Sequence, residues 1–281
     1  MSENLLARVR AQAPSLGGAE RAVAQVILDR ADDIIELSSA QVAELAGVSR
    51  PTVVRTCQSL GLTGYQQLRV LLAREGVATA TARPTPPGDG PLRTVTSAFR
   101  HVADSVESML ALLDEDSVQA AVELLARSER LVAVGHGVSA PLATDAASRL
   151  TALGRITERY PDVIGEQIAL AGLGERDAVL LVSGSGSSRP ALQAARVARA
   201  AQARVLALTA FSHAPLAECA DVVLVTGMPE ASFREEIVVT TRVPQMILLE
   251  GLLATVSERL GEAGQAAKAR AVEVVSGFVA E

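Results

Sequence analysis

Tryptophan is absent from this 281-residue chain, and only six aromatic rings are present: Tyr65, Phe99, Tyr160, Phe211, Phe233 and Phe278. Platforms that stack bases or sugar rings need several exposed aromatics, so both are disfavoured and the core must be aliphatic. The two cysteines, Cys57 and Cys219, cannot make a disulfide framework and have no metal-ligand spacing. Lysine occurs once, at Lys268, which leaves 25 of the 26 basic residues as arginine, the mark of a GC-rich coding bias. No apolar run spans a bilayer: the longest late stretch, MILLEGLLATV, is short and is interrupted by Glu250. The start, MSENLLARVRAQ, lacks the apolar centre of a secretion signal. A net charge of −6 excludes a chain coated in basic surface, while leaving room for a small DNA-reading element. These absences predict a soluble, reduced, cytoplasmic protein without membrane partner, metal or cofactor.

What is present suits two domains. Hydrophobic residues make up 49% and charged residues 21%, enough to bury a sizeable core and too apolar for wholesale disorder. The sharpest composition shift is TATARPTPPGDGPL, where Pro84, Pro86, Pro87 and Pro91 disfavour helix and predict an extended linker. We place the boundaries at residues 1–76, 77–92 and 93–281. In the first segment apolar residues recur at helical spacing (Val23, Ile27, Ile34, Ile35, Val42, Leu45, Val53, Val54, Leu60) with no strand-like alternation, which predicts a small all-α domain. The last segment opens on an amphipathic pattern from Val95 to Leu113. Short aliphatic runs then alternate with helical stretches: Leu131 to Val134, a weaker strand near Arg155 to Tyr160, Ala178 to Val182, Arg204 to Leu208 and Asp221 to Val225. Buried parallel strands read as continuous aliphatic runs, so this is an α/β doubly wound, five-stranded domain of flavodoxin-like order, with a helical tail from about residue 234.

Chemistry first enters at SSAQVAELAGVSRPTVVRTCQSLG. Ala43, Leu45, Ala46 and Val48 can pack one helix, Gly47 makes the turn, Ser49 can cap the next helix, and Pro51 fits its first turn. With Val53, Val54 and Leu60 facing inward, Ser49, Arg50, Thr52, Arg55, Thr56 and Gln58 become candidates for contact with double-stranded DNA. Arginine can grip guanine bidentately, Gln can read adenine, and Thr can reach phosphate or a thymine methyl. Residues 1–75 carry eight arginines against eight acids, so bulk attraction supplies nothing and paired modules on two half-sites are required. A helical hairpin used only for packing would show the same shape. Cys57, among helical neighbours, reads as a packed residue rather than a redox sensor.

Two Gly/Ser loops follow predicted strands. LVAVGHGVSAPL carries Gly135, His136, Gly137 and Ser139, and AVLLVSGSGSSRPAL carries Ser183, Ser185, Gly186, Ser187 and Ser188. Glycines let backbone approach an anion, helix starts offer N–H groups, and hydroxyls add donors without charge. In the strand order 2-1-3-4-5 these loops flank the switch point, where such sheets bind ligands. The first loop lacks the third glycine of a dinucleotide fingerprint, and no Walker lysine follows either loop.

With these residues in view, the whole chain resembles the RpiR family of bacterial transcription regulators. VAELAGVSRPTVVRTCQSLGLTGYQQLR is similar to that family's helix-turn-helix domain. VGHGVSA, SGSGSS, ALTAFSHAPLAECADVVLVT and TTRVPQMILLEGLL are similar to its sugar isomerase (SIS) domain. The resemblance implies a recognition helix over Arg50 to Ser59, a phosphate loop at Ser183, Ser185, Gly186, Ser187 and Ser188, and a facing loop at Gly135, Gly137 and Ser139. It also implies a homodimer or dimer of dimers whose operator affinity responds to a phosphorylated sugar. Two departures stand out: Arg189 and Pro190 occupy a place where many members carry an acid, and His136 is an unusual insert between the glycines.

The rival reading is a phosphosugar isomerase or lyase with an added helical domain, and a third is a dimerising structural protein with an empty site. Enzyme chemistry on a sugar phosphate calls for a carboxylate base and often a histidine. The histidines are His101, His136 and His213, and Glu230, Glu235, Glu236 and Glu250 are conceivable bases. They form no compelling catalytic set, so no catalytic residue is assigned.

Overall fold

The computed structural model describes residues 5–77, 90–227 and 241–279, with side chains omitted for 74–77. Most of the expected linker, and the candidate bases Glu230, Glu235 and Glu236, lie outside the described residues. The described residues divide into two compact units at Ser97.

The first unit is all helical: α1 (Leu5–Gln12), α2 (Gly18–Asp29), α3 (Ala31–Ile34), α4 (Ser39–Leu45), α5 (Arg50–Ser59) and α6 (Tyr65–Val77). Its core is aliphatic, with Val9, Val23, Ile27, Ile34, Val42, Val53, Leu60 and Leu68 all withdrawn from water. Ser38 starts α4 with a capping box: its hydroxyl accepts from the Gln41 amide, and the Gln41 side chain accepts from the Ser38 N–H. From α6, Tyr65 donates to the carbonyls of Ile34 and Leu37, and Arg69 donates to that of Ile35. Carbonyls left over after the short α3 thus find partners in buried side chains. Burial drives the Tyr65 pKa up and the Arg69 pKa down.

The second unit has five parallel strands: β1 (Leu131–Gly135), β2 (Thr157–Glu158), β3 (Ala178–Val182), β4 (Arg204–Thr209) and β5 (Val222–Val225), in the order β2-β1-β3-β4-β5. Helices α7 (Pro91–Leu110, of which the part from Ala98 belongs to this unit), α8 (Glu115–Arg127), α9 (Ala140–Ala152), α10 (Val163–Ala171), α11 (Arg189–Ala200) and α12 (Val243–Ser276) complete it. Side chains alternate between faces along each strand. Leu131, Leu180, Val182, Leu206 and Leu208 pack with residues of α8, α9 and α12. Val132, Val179, Leu181, Val205 and Ala207 pack with α10 and α11. Both faces are covered, which is why the strands read as unbroken aliphatic runs. The alanines of α11 (Ala191, Ala194, Ala195, Ala198) bring that helix close to the sheet. Asp177 clamps the entry to β3, its carboxylate accepting from the N–H groups of Arg130 and Gly174. No described helix is long and apolar enough to cross a membrane.

The five strand positions and their order agree with expectation, and the weak strand near Arg155 to Tyr160 shortens to two residues. The amphipathic pattern expected to run to Leu113 ends as helix at Leu110.

Candidate functional site

The turn between α4 and α5 is set by Gly47, at φ +63°, where open space surrounds the position a Cβ would take. Its demand is therefore conformational alone. Val48 N–H donates to the Ala43 carbonyl and Gly47 N–H to that of Glu44, closing α4. Ser49 then stands at the N-cap of α5, with Pro51 in the first turn.

The solvent face of α5 is narrower than the sequence suggested. Arg50, Arg55 and Gln58 are exposed, and so is Ser49. Thr52 and Thr56, expected to face outward, are buried. They sit on the same stripe as Val53, Cys57 and Leu60, and Thr56 Oγ1 donates to the Thr52 carbonyl at 2.8 Å. Nor does the Ser49 hydroxyl cap the helix backbone; it pairs with the Thr52 hydroxyl at 2.9 Å. Thr52 Oγ1 also accepts from Arg55 Nη2 at 3.3 Å, so this threonine steadies the arginine from beneath. Arg50 Nε reaches Ser39 Oγ at 3.0 Å, tying the start of α5 to the start of α4. Leu45, expected to pack, is 43% exposed, and Val54 is half-buried. Cys57 is fully buried, and burial pushes its thiol up to about 12, as befits a packed residue.

In the second unit, Gly135 pairs with Val182 across β1 and β3, so the two Gly/Ser loops leave the sheet side by side at its C-terminal edge. Both are built for close backbone approach. A Cβ on Gly135 would lie 2.6 Å from the Ser139 carbonyl oxygen and 2.9 Å from Ala143 Cβ. A Cβ on Gly186, which has φ +57°, would collide with Ala214 Cβ and stand 2.7 Å from Thr209 Oγ1. Thr209 Oγ1 donates to the Gly184 carbonyl, and Leu216 N–H donates to that of Gly186. The end of β4 and the turn after it therefore hold the serine loop in place, a support no spacing in the sequence revealed.

The loop hydroxyls differ in what they can still offer. Ser187 Oγ donates to the Ser185 carbonyl at 3.0 Å, which commits its proton within the loop. Ser185 Oγ and Ser188 Oγ act as acceptors, from Ser187 N–H and Ala191 N–H, and each keeps its own O–H for an incoming group. Ser188 thereby caps α11, and Ser183 is buried at the loop's start. Gly137 at φ +56° turns the facing loop, while Ser139 is buried behind it.

One further residue joins the site. Glu166, in the first turn of α10, is 3% exposed, and its Oε1 lies 3.2 Å from His136 Nε2. The candidate base Glu250 lies elsewhere, in a bidentate pair with Arg149 at 2.6 and 2.8 Å. His213 is exposed, and His101 lies on α7. Among the described residues no group of three or more His, Cys, Asp or Glu side chains could hold a metal ion.

Comparison with known proteins agrees with this two-part construction. Residues 3–78 match the helix-turn-helix domain of the rpiR family, and residues 124–255 match the SIS domain. The chain is 31% identical over 262 residues to the HTH-type transcriptional regulator HexR of Pseudomonas aeruginosa, covering 92% of this chain and 91% of that one. It is also 31% identical over 283 residues to the bifunctional protein glk of Burkholderia orbicola, covering 96% of this chain and 43% of that longer protein. Among solved structures, that of Vibrio vulnificus NanR complexed with ManNAc-6P superposes with a TM-score of 0.78 at 25% identity, over 99% of this chain and 100% of the other. A helix-turn-helix whose second helix turns arginines to solvent, joined to a SIS-type sheet, places this chain in the rpiR family of transcriptional regulators.

Proposed function

We propose that residues 1–76 read an operator in double-stranded DNA and that residues 93–281 bind a phosphorylated sugar which changes operator affinity, with 77–92 as the link. The observation that carries this reading is the pairing, in one chain, of an exposed Arg50, Arg55 and Gln58 face with two Gly/Ser loops at the sheet's switch point. Arg55 and Gln58 are the base readers. Thr52 acts beneath them by steadying Arg55, and Thr56 acts through the helix's packing. In the effector site, the O–H groups of Ser183, Ser185 and Ser188 meet the phosphate. Neutral donors suit that task, since they leave no unpaired charge when the site is empty. NanR, with which this chain aligns along its whole length, is complexed with a phosphorylated sugar, ManNAc-6P, which supports the ligand class.

The protein works as a homodimer or a dimer of dimers. Leu92, Phe99 and Leu110 on α7 are 79%, 75% and 59% exposed, a cost that a second copy would relieve. Two-fold pairing then sets recognition helices on half-sites a DNA turn apart, or a multiple of it. The binding site works without turnover. The test is binding of the full chain to DNA from its own upstream region, with and without a panel of sugar phosphates. One member of the panel should shift the midpoint and be recovered unchanged. A shift by none, or consumption of the ligand, would overturn the reading, the latter in favour of a phosphosugar isomerase or lyase.

A further inference from the structure

The reading of the serine loop as a phosphate site leaves open what the rest of the ligand meets, and three loops at one sheet edge bear on that. Because β2 lies beside β1, the first turn of α10 starts at the same C-terminal edge as His136 and the serine loop. Glu166 projects from that turn with its carboxylate almost wholly withdrawn from water, and Oε1 makes no hydrogen bond. Neither ring nitrogen of His136 makes one either, although Nε2 stands 3.2 Å from Oε1. Next in the chain, Gln167 has both its side-chain oxygen and nitrogen buried without a partner. Buried polar atoms are ordinarily paired, so a His136–Glu166 contact that no hydrogen bond closes, with Nδ1 of His136 also without a partner, points to a group that arrives with the ligand.

The charges of this cluster select among ligands. Residues 135–139, 162–167 and 183–188 contain no lysine or arginine, and their charged or ionisable side chains are His136, Asp162 and Glu166; the bordering cations are Arg189, which is exposed at the start of α11, and Arg159, three residues before Asp162. Asp162 is occupied as the N-cap of α10, its side chain accepting from Gly165 N–H. A carboxylate accepts hydrogen bonds and cannot donate them, so Glu166 matches hydroxyl groups and repels a second carboxylate.

We propose that Glu166, steadied by His136, reads the hydroxyl-bearing end of the ligand, making the effector a sugar or polyol phosphate without a carboxylate and excluding phosphorylated sugar acids. This rests on the phosphate reading of the serine loop, and the experiment separates the two. Glucitol 6-phosphate and gluconate 6-phosphate share one carbon chain and one phosphate and differ only in an alcohol against a carboxylate at C1. Calorimetric titration of the full-length protein should show glucitol 6-phosphate binding at least about tenfold tighter, the scale of one like-charge contact. Glu166→Gln keeps the shape and removes the charge, so it should bring the two affinities together by weakening glucitol 6-phosphate and admitting gluconate 6-phosphate. His136→Asn removes the side chain that stands 3.2 Å from Oε1 and should change the ratio of the two affinities, which keeps a readout if the first variant fails to fold. Inorganic phosphate should compete with either probe in all three proteins. Equal or tighter binding of gluconate 6-phosphate to the unaltered chain, or a ratio insensitive to Glu166→Gln, overturns the role of Glu166 alone. Failure of inorganic phosphate to compete anywhere overturns the serine-loop reading and this inference with it.

Discussion

The glycines of the two units do different work. Gly47, between α4 and α5, needs only its positive φ, and a Cβ there would meet nothing within 4 Å. Gly186, in the serine loop, combines a positive φ with a collision against Ala214 and Thr209. Under the proposed function, the helical unit carries its recognition in side chains that project into water from an ordinary helix. Under the same proposal, the α/β unit carries its recognition in backbone that must approach closely, walled by neighbours from other elements. Substitution should change what the first unit reads, and destroy what the second unit can hold.

The sharpest test of that contrast is Gly186→Ala. Strain at φ +57° and overpacking against Ala214 together should cost about 3 kcal/mol or more, seen as a lowered calorimetric transition and loss of sugar-phosphate binding. A variant as stable as the parent would show that the loop has room it does not display. Next in size is Arg55→Ala, expected to weaken operator binding by about 1–3 kcal/mol with relaxed specificity at one position and an unchanged melting profile. Should binding match the parent across a salt series, α5 is not the reading helix. Gly47→Ala should fall below both in stability cost, at about 1 kcal/mol from backbone conformation alone, and equality with Gly186→Ala would erase the contrast drawn between the units. Glu250→Gln breaks the pair with Arg149 on the surface, where Glu250 is 63% exposed, so less than about 1 kcal/mol should be lost and ligand binding should persist. The smallest effect is expected at Cys57. With its thiol pushed up to about 12 by burial, it should resist alkylation at pH 8 in the folded protein, and its rapid modification would show that α5 opens readily.

Much of this architecture was legible before any coordinates. Strands buried on both faces have no polar residues to interrupt them, so AVLLV coincides with β3 to the residue, and β1, β4 and β5 shift by no more than one position at an end. The turn at Gly47 and the N-terminal place of Ser49 were readable from local preferences. The face of α5 was partly readable: Thr52, Thr56 and Leu60 recur every four residues beside Val53 and Cys57, a stripe that marks them as inward. Their polar chemistry argued for the opposite face. Packing prevailed because a threonine hydroxyl can satisfy itself on the carbonyl one turn back, as Thr56 does on Thr52, and so can be buried at little cost.

Glu166 had no such local signature. It lies thirty residues from His136, and nothing in VIGEQIALA separates it from a solvated helical acid. The parallel order of β2, β1 and β3 is what brings the start of α10 to the edge where the Gly/Ser loops emerge. Likewise, Thr209 and Ala214 wall Gly186 only because β4 lies beside β3. Helix faces and buried strands are written in short-range periodicity, since each depends on which side of a single element meets water. A pocket is made where the ends of several elements converge. Its occupants are chosen by crossover connections spanning tens of residues, and only the assembled sheet shows which buried groups have found partners and which await one.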